Sequence, residues 1–162
     1  MNSKNKIVRL RELKTHVARL RKQGYSIAFT NGCFDILHVG HVSYLELAKK
    51  KNRILIVGLN SDASVKKIKG PKRPIVSERE RALILASLMY VDYVIIFNED
   101  TPLKVIKALK PDVLIKGSDW KGKEVVGSDF VNRYGGKVEL IKYRPQFSTT
   151  NIIETILKKC AA

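Results

Sequence analysis

The run Ile54-Leu55-Ile56-Val57-Gly58-Leu59 has no polar side chain in it. A strand that shows water neither face belongs inside a sheet covered on both sides, and such sheets are parallel. The chain around it fits that demand. Strands are expected at residues 25–30, 53–59, 93–97, 113–116 and 137–142. Helix-period segments at 8–22, 39–50, 77–89, 101–109, 128–134 and 149–159 alternate with them. Strict alternation with short connections predicts an α/β fold: a five-stranded parallel sheet with helices on both faces.

Local signals set the boundaries. Leu10, Leu13, Val17 and Leu20 share one helical face, which Gly24 closes. Ser77 with Glu80 forms a capping box, and Pro102 belongs to a first helical turn. Asn60-Ser61-Asp62 ends the second strand with capping residues, and 66–74 reads as a Lys/Gly/Pro-rich loop. Residues 1–162 are expected to form one domain, with 1–24 as a helix preceding the core; 162 residues at 44% apolar content suffice for one buried core. No apolar run approaches a membrane span, and the N-terminus lacks a signal core. Cys33 and Cys160 stand far apart, which fits a reducing, cytoplasmic setting, with Cys160 expected as a small buried apolar residue.

Lys and Arg number 31 against 15 Asp and Glu, a net charge of +16. That suits an anionic partner. The charge is spread along the chain with no aromatic-interleaved basic block, so small anionic substrates are expected rather than nucleic acid or a membrane surface.

Residues 29–41 carry the strongest chemical signal. A strand runs through Phe29 and Thr30 into the turn Asn31-Gly32-Cys33-Phe34-Asp35, and His38 and His41 then open a helix. Residues three apart share a helical face, so both imidazoles can meet one ligand. The helix N-terminus favours a phosphate, and Gly40 keeps the space between the rings clear. Two histidines alone do not make a structural zinc site, and no metal ligands are assigned.

Further segments are expected at the same end of the sheet, where ligands of such folds bind. Ser148-Thr149-Thr150 opens a helix with three hydroxyls, and Arg144 precedes it. Lys69, Lys72 and Arg73 offer mobile positive charge for a polyphosphate or a phosphate monoester. Asp35 can orient backbone, meet a magnesium ion through water, or bind the second substrate. Lys116-Gly117 with Asp119-Trp120 can hold base or ribose. Arg81 is a further candidate. Thr101-Pro102 reads as helix punctuation.

In this order, residues 30–41, Tyr90-Val91-Asp92, Lys116-Gly117-Ser118-Asp119-Trp120 and Ser148-Thr149-Thr150 resemble the cytidylyltransferase-like nucleotidyltransferases that carry a His-x-Gly-His motif. The segments Phe29 to Asp35, Leu59 to Val65, Glu99-Asp100-Thr101-Pro102, Lys110 to Gly117 and Tyr134 to Val138 are most similar to D-glycero-β-D-manno-heptose 1-phosphate adenylyltransferases. The resemblance implies a Rossmann-like fold and transfer of AMP from ATP to a sugar 1-phosphate, giving ADP-heptose and pyrophosphate with Mg2+ carried mainly by nucleotide phosphates. It also implies a homodimer involving Tyr90-Val91-Asp92, and a domain that many bacteria fuse to a sugar kinase; here it is expected to stand alone.

Taken together, His38, His41 and Lys69 are expected to be catalytic. Thr30, Asn31, Gly32, Cys33, Phe34, His38, Gly40, His41, Lys116, Gly117, Asp119, Trp120, Arg144, Ser148, Thr149 and Thr150 are expected to bind the nucleotide. Asp35, Asp62, Lys69, Lys72 and Arg73 are expected at the acceptor. Asp119-Trp120 followed by Gly122-Lys123 is closer to glycerol-3-phosphate cytidylyltransferases, so a cytidylyltransferase acting on glycerol 3-phosphate or ethanolamine phosphate stays open, as does a non-catalytic nucleotide- or RNA-binding module.

Overall fold

The structure is a computed structural model that describes residues 2–142 and 147–160. A 3-10 turn at Ser3–Lys6 precedes α1 (Leu10–Lys22), β1 (Ser26–Gly32), α2 (Val39–Ala48), β2 (Arg53–Asn60), α3 (Asp62–Lys69) and α4 (Glu78–Ser87). Then follow β3 (Tyr93–Phe97), α5 (Leu103–Leu109), β4 (Val113–Gly117), a 3-10 turn at Ser118–Trp120, α6 (Ser128–Arg133), β5 (Lys137–Ile141) and α7 (Thr149–Cys160). All neighbouring strands pair in parallel, in the order β3-β2-β1-β4-β5.

Every residue of β2 is buried, as its unbroken apolar run requires. Successive side chains of a strand face opposite ways, and the two cores follow from that. Ile27, Phe29, Ile54, Ile56, Tyr93, Ile95 and Leu114 pack with Leu13, Val17 and Leu20 of α1, with α5 and with Val131 of α6. Ala28, Leu55, Val57, Leu59, Val94, Val113 and Ile115 pack with Leu45 and Ala48 of α2 and Ala82, Leu85 and Ala86 of α4. The chain winds outward from β1 to β3, returns to β4, and so reverses direction between β1 and β4. A crevice opens at such a reversal, beyond the carboxyl ends of the strands.

Most elements lie where the sequence places them, including β3 and the reciprocal Ser77–Glu80 capping box. Three expectations are corrected. Residues 66–69 are the last turn of α3 rather than loop: Ser61 accepts from Ser64 N, and Val65 is fully buried. Pro102 caps α5 from outside its first turn. Cys160 is exposed rather than buried, because α7 buries none of its described residues.

The Tyr90-Val91-Asp92 segment mostly faces inward. Val91 is fully buried. Asp92 accepts from Leu55 N at 2.7 Å and pairs with Lys49. Tyr90 and Asp92 are each partly exposed, and the Tyr90 hydroxyl meets Glu46 at 2.6 Å.

Candidate active site

The turn after β1 is tightly specified. Phe34 adopts φ 44°, a left-handed conformation rare for an aromatic residue, yet its side chain is only 7% exposed. Its ring lies over Gly32, where a Cβ would sit 3.0 Å from it. Packing therefore holds the strain, as it commonly does at functional turns.

His38 is the N-cap residue of α2, and His41 lies in the first turn. Their rings stack, with centroids 3.8 Å apart and planes at 23°. A Cβ on Gly40 would approach two atoms of the His38 ring at 3.0 Å, so glycine permits the stack. Phe34 flanks His41 at 5.0 Å. Both Nδ1 atoms are buried with no hydrogen-bond partner among the described residues. Burial lowers the pKa of both rings. His41 falls to about 4, because burial and the neighbouring His38 outweigh the Ile36 carbonyl. At neutral pH each ring is thus an uncharged imidazole with one N–H to donate.

The histidines face a cavity of about 560 Å³ beyond the carboxyl ends of the strands. On its β4 side stand Lys116, Gly117, Asp119, Trp120 and Val126. Across the β1–β4 reversal, Lys116 Nζ donates to Asn31 Oδ1 at 2.6 Å and lies 4.9 Å from the Trp120 ring centroid. Burial pulls the Lys116 pKa down to about 8, so it is still mostly charged at pH 7. On the β2–β3 side stand Asn60, Ile68, Lys69, Arg73, Asp100, Thr101 and Pro102. Phe147, Ser148, Thr149 and Thr150 complete the wall near α7.

Asn31, Gly32, Cys33, Phe34, Asp35, Gly40, Lys69 and Arg73 all line this cavity, as expected. The hydroxyl run divides its work. Ser148 Oγ accepts from Asn151 N at 3.1 Å as a helix cap, and Thr149 Oγ1 donates to the Ile36 carbonyl at 3.5 Å.

Other expected residues lie off the cavity or are committed to partners within the protein. Thr30 is fully buried and bonds the Tyr44 hydroxyl at 2.7 Å. Lys72 is exposed outside the cavity. Asp62 turns to Arg81 at 2.7 Å. Arg81 is 1% exposed and donates to the carbonyls of Cys33, Asn60 (2.9 Å) and Val76 (2.9 Å), tying three loops together rather than facing a ligand. Asp35, 2% exposed, is committed to Arg73 and to Ile75 N and Val76 N at 2.8 and 3.0 Å, so of its three expected roles it orients backbone. Arg144 lies outside the described residues. Among those described, no three His, Cys, Asp or Glu side chains gather to hold a metal.

The cytidylyltransferase-like family profile matches residues 29–155, from β1 into α7. This chain belongs to the cytidylyltransferase-like family. It is 54% identical over 153 residues, 94% of its length, to the bifunctional protein HldE of Syntrophotalea carbinolica, covering 31% of that protein. Against the bifunctional protein HldE of Helicobacter pylori it is 59% identical over 134 residues, 83% of this chain and 28% of that one. The chain therefore spans about a third of the length of the curated relatives it matches.

Among solved structures, a lipopolysaccharide core biosynthesis protein from Thermoplasma volcanium shares 30% identity at a TM-score of 0.60, over 74% of this chain and 96% of that one. A pantoate-beta-alanine ligase from Francisella tularensis shares the fold at a TM-score of 0.61 and 16% identity, over 96% of this chain and 79% of that one.

Sequence reading missed Tyr44, Asp100, Thr101, Pro102, Val126 and Phe147 in the cavity wall. Tyr44 carried a usable signal, since it lies three residues after His41 and so shares its helical face. For Asp100 and Thr101 the signal was their place in Glu99-Asp100-Thr101-Pro102, one of the segments that carry the resemblance.

Proposed function

We propose that this chain transfers AMP from ATP to D-glycero-β-D-manno-heptose 1-phosphate, giving ADP-heptose and pyrophosphate, in the cytoplasm. The stacked pair of neutral imidazoles in the cavity wall, between two flanks that each carry a cation, carries the reading. An acceptor phosphate oxygen attacks the α-phosphorus of ATP in line. The new P–O bond forms as the bond to the bridging α–β oxygen breaks, and that oxygen leaves with pyrophosphate. A phosphate monoester dianion is already nucleophilic, so no protein base is needed, and catalysis is positioning plus charge stabilisation.

In this reading the β4 flank takes the nucleoside, with Trp120 against the base and Asp119 toward the ribose. His38 and His41 donate to α- and β-phosphate oxygens as charge builds there, while Lys69 and Arg73 meet the acceptor phosphate and the departing pyrophosphate. The donor set suits Mg2+ that arrives on the nucleotide, held by phosphate oxygens and water; bound there, it supplies charge neutralisation. Membership of the cytidylyltransferase-like family supports nucleotidyl transfer. The resemblance to heptose 1-phosphate adenylyltransferases and the likeness to a lipopolysaccharide core biosynthesis protein support the acceptor.

We further propose a homodimer near Tyr90, beside which Met89 is 80% exposed. Among the described residues no helix is long and apolar enough to cross a membrane.

Pyrophosphate release with ATP or CTP, against heptose 1-phosphate, glycerol 3-phosphate and ethanolamine phosphate, tests the reading. Release with ATP and heptose 1-phosphate is expected. Preference for CTP with glycerol 3-phosphate would favour the cytidylyltransferase that Asp119-Trp120 suggests, and tight ATP binding without release from any acceptor would mark a binding module.

A further inference from the structure

The β2–β3 flank carries a carboxylate that phosphate binding does not require. Asp100 and Thr101 lie in the connection from β3 to α5, and both line the cavity. Several tethers set this connection in place. Ser61 N donates to the Phe97 carbonyl at 3.0 Å, Asn60 Nδ2 to Ser64 Oγ at 2.9 Å, and Ser64 Oγ to the Glu99 carbonyl at 3.4 Å. Lys67 Nζ pairs with Asp100 Oδ1 at 3.0 Å at the surface, where both side chains are exposed.

A carboxylate beside an anion-binding cavity opposes an anionic ligand unless it accepts hydrogen bonds from that same ligand. Hydroxyl groups are such donors. An ammonium group suits the place less well, because Lys67 already sits on the carboxylate. The opposite flank has the same composition, with Lys116 near Asp119. Each side of the histidine pair thus combines a cation, which suits phosphate, with a carboxylate, which suits the hydroxyls of a sugar.

We propose that Asp100 and Thr101 read the hydroxyl groups of a sugar phosphate acceptor and determine its selection on the β2–β3 flank. This rests on the nucleotidyl-transfer reading. Asp100 accepts from neighbouring hydroxyls of the sugar, and Thr101 supplies a hydroxyl that both donates and accepts.

The test is steady-state pyrophosphate release by the parent chain, Asp100→Asn and Thr101→Val, with ATP and heptose 1-phosphate varied separately. A hexose 1-phosphate, one hydroxymethylene shorter, serves as the second acceptor. Loss of a charge-assisted hydrogen bond predicts that Asp100→Asn raises KM for heptose 1-phosphate about tenfold, and Thr101→Val raises it by roughly half an order of magnitude. KM for ATP stays within about twofold, and the preference for heptose over hexose narrows. Acceptor KM values unchanged in both variants overturn the proposal, as does a parallel rise in both substrates' KM, the mark of a general charge or folding effect. A parent chain silent with every sugar phosphate overturns the reading of AMP transfer to a sugar phosphate and this one with it; an active parent with indifferent variants overturns this one alone.

Discussion

The two ends of the sheet differ in one respect: the amino end pairs its polar groups, and the carboxyl end keeps two imidazole nitrogens without partners among the described residues. Asp92 and Asp112 stand just before β3 and β4, and each accepts a main-chain N–H from an adjacent strand, Leu55 N and Ile27 N, both at 2.7 Å. At the amino end of β2, Arg53 reaches the Ala48 carbonyl at 3.0 Å and Glu139 of β5 at 2.8 Å. Lys49 and Lys50 add pairs to Asp92 and Glu139. At the carboxyl end two imidazole nitrogens are buried without partners among the described residues, and both rings are held uncharged. Paired groups close one end and make it structural. Unpaired buried nitrogens at the other end cost stability there.

The sharpest way to break this contrast is His41→Ala. Loss of one preorganised donor lowers turnover about a hundredfold or more, on the order of 3 kcal/mol of barrier, while thermal unfolding stays near the parent's. Turnover within a few-fold of the parent would show that the carboxyl end does not work through this ring.

Acid tests the same ring through stability. His41 titrates near 4 in the fold and near 6.5 when unfolded. Between those values the unfolded chain binds more protons, so stability falls as pH drops from 6.5 to 4, by about 3 kcal/mol. His41→Asn removes that slope; urea midpoints across the window measure it, and equal slopes in parent and variant would contradict the burial argument.

The amino end should respond in the opposite currency. Asp92→Ala strands Leu55 N–H and Lys49 and lowers unfolding free energy by about 2 kcal/mol in urea titration, with turnover at 25 °C unchanged. A loss of activity at full stability would assign Asp92 a role at the working end.

Gly40→Ala has the smallest expected effect. The added methyl must displace the His38 ring by a few tenths of an ångström, and misplacement of one donor raises KM for the nucleotide about tenfold with a stability change near 1 kcal/mol. An unchanged KM would mean that the stacking geometry is not used.

What could be read from the sequence follows the range of the interactions involved. The strands were legible because Ile54 to Leu59 and Tyr93 to Phe97 are continuous apolar runs, and α4 because Ser77 and Glu80 are three residues apart. The histidine pair was legible for the same reason. The helix α3 was not, since Lys66, Lys67 and Lys69 read as solvated loop while one buried valine, Val65, anchors it. Asp35 was ambiguous because its partners lie 38 to 41 residues away. Arg81 was placed at the correct end of the sheet, yet its three carbonyl acceptors follow only from three loops meeting in space. Thr101-Pro102 read as helix punctuation because the wall that Thr101 helps form depends on β3 lying beside β2.

The imidazole NMR titration of His41, with and without a non-hydrolysable ATP analogue, tests the central claim most directly. A titration near pH 4 in the free protein, moving upward in the complex as phosphate oxygens favour the charged ring, with the His38 and His41 signals both shifting, is the expected result. The same titration pH in both states, or an ordinary value near 6.5 in the free protein, would contradict a buried pair held ready for phosphate.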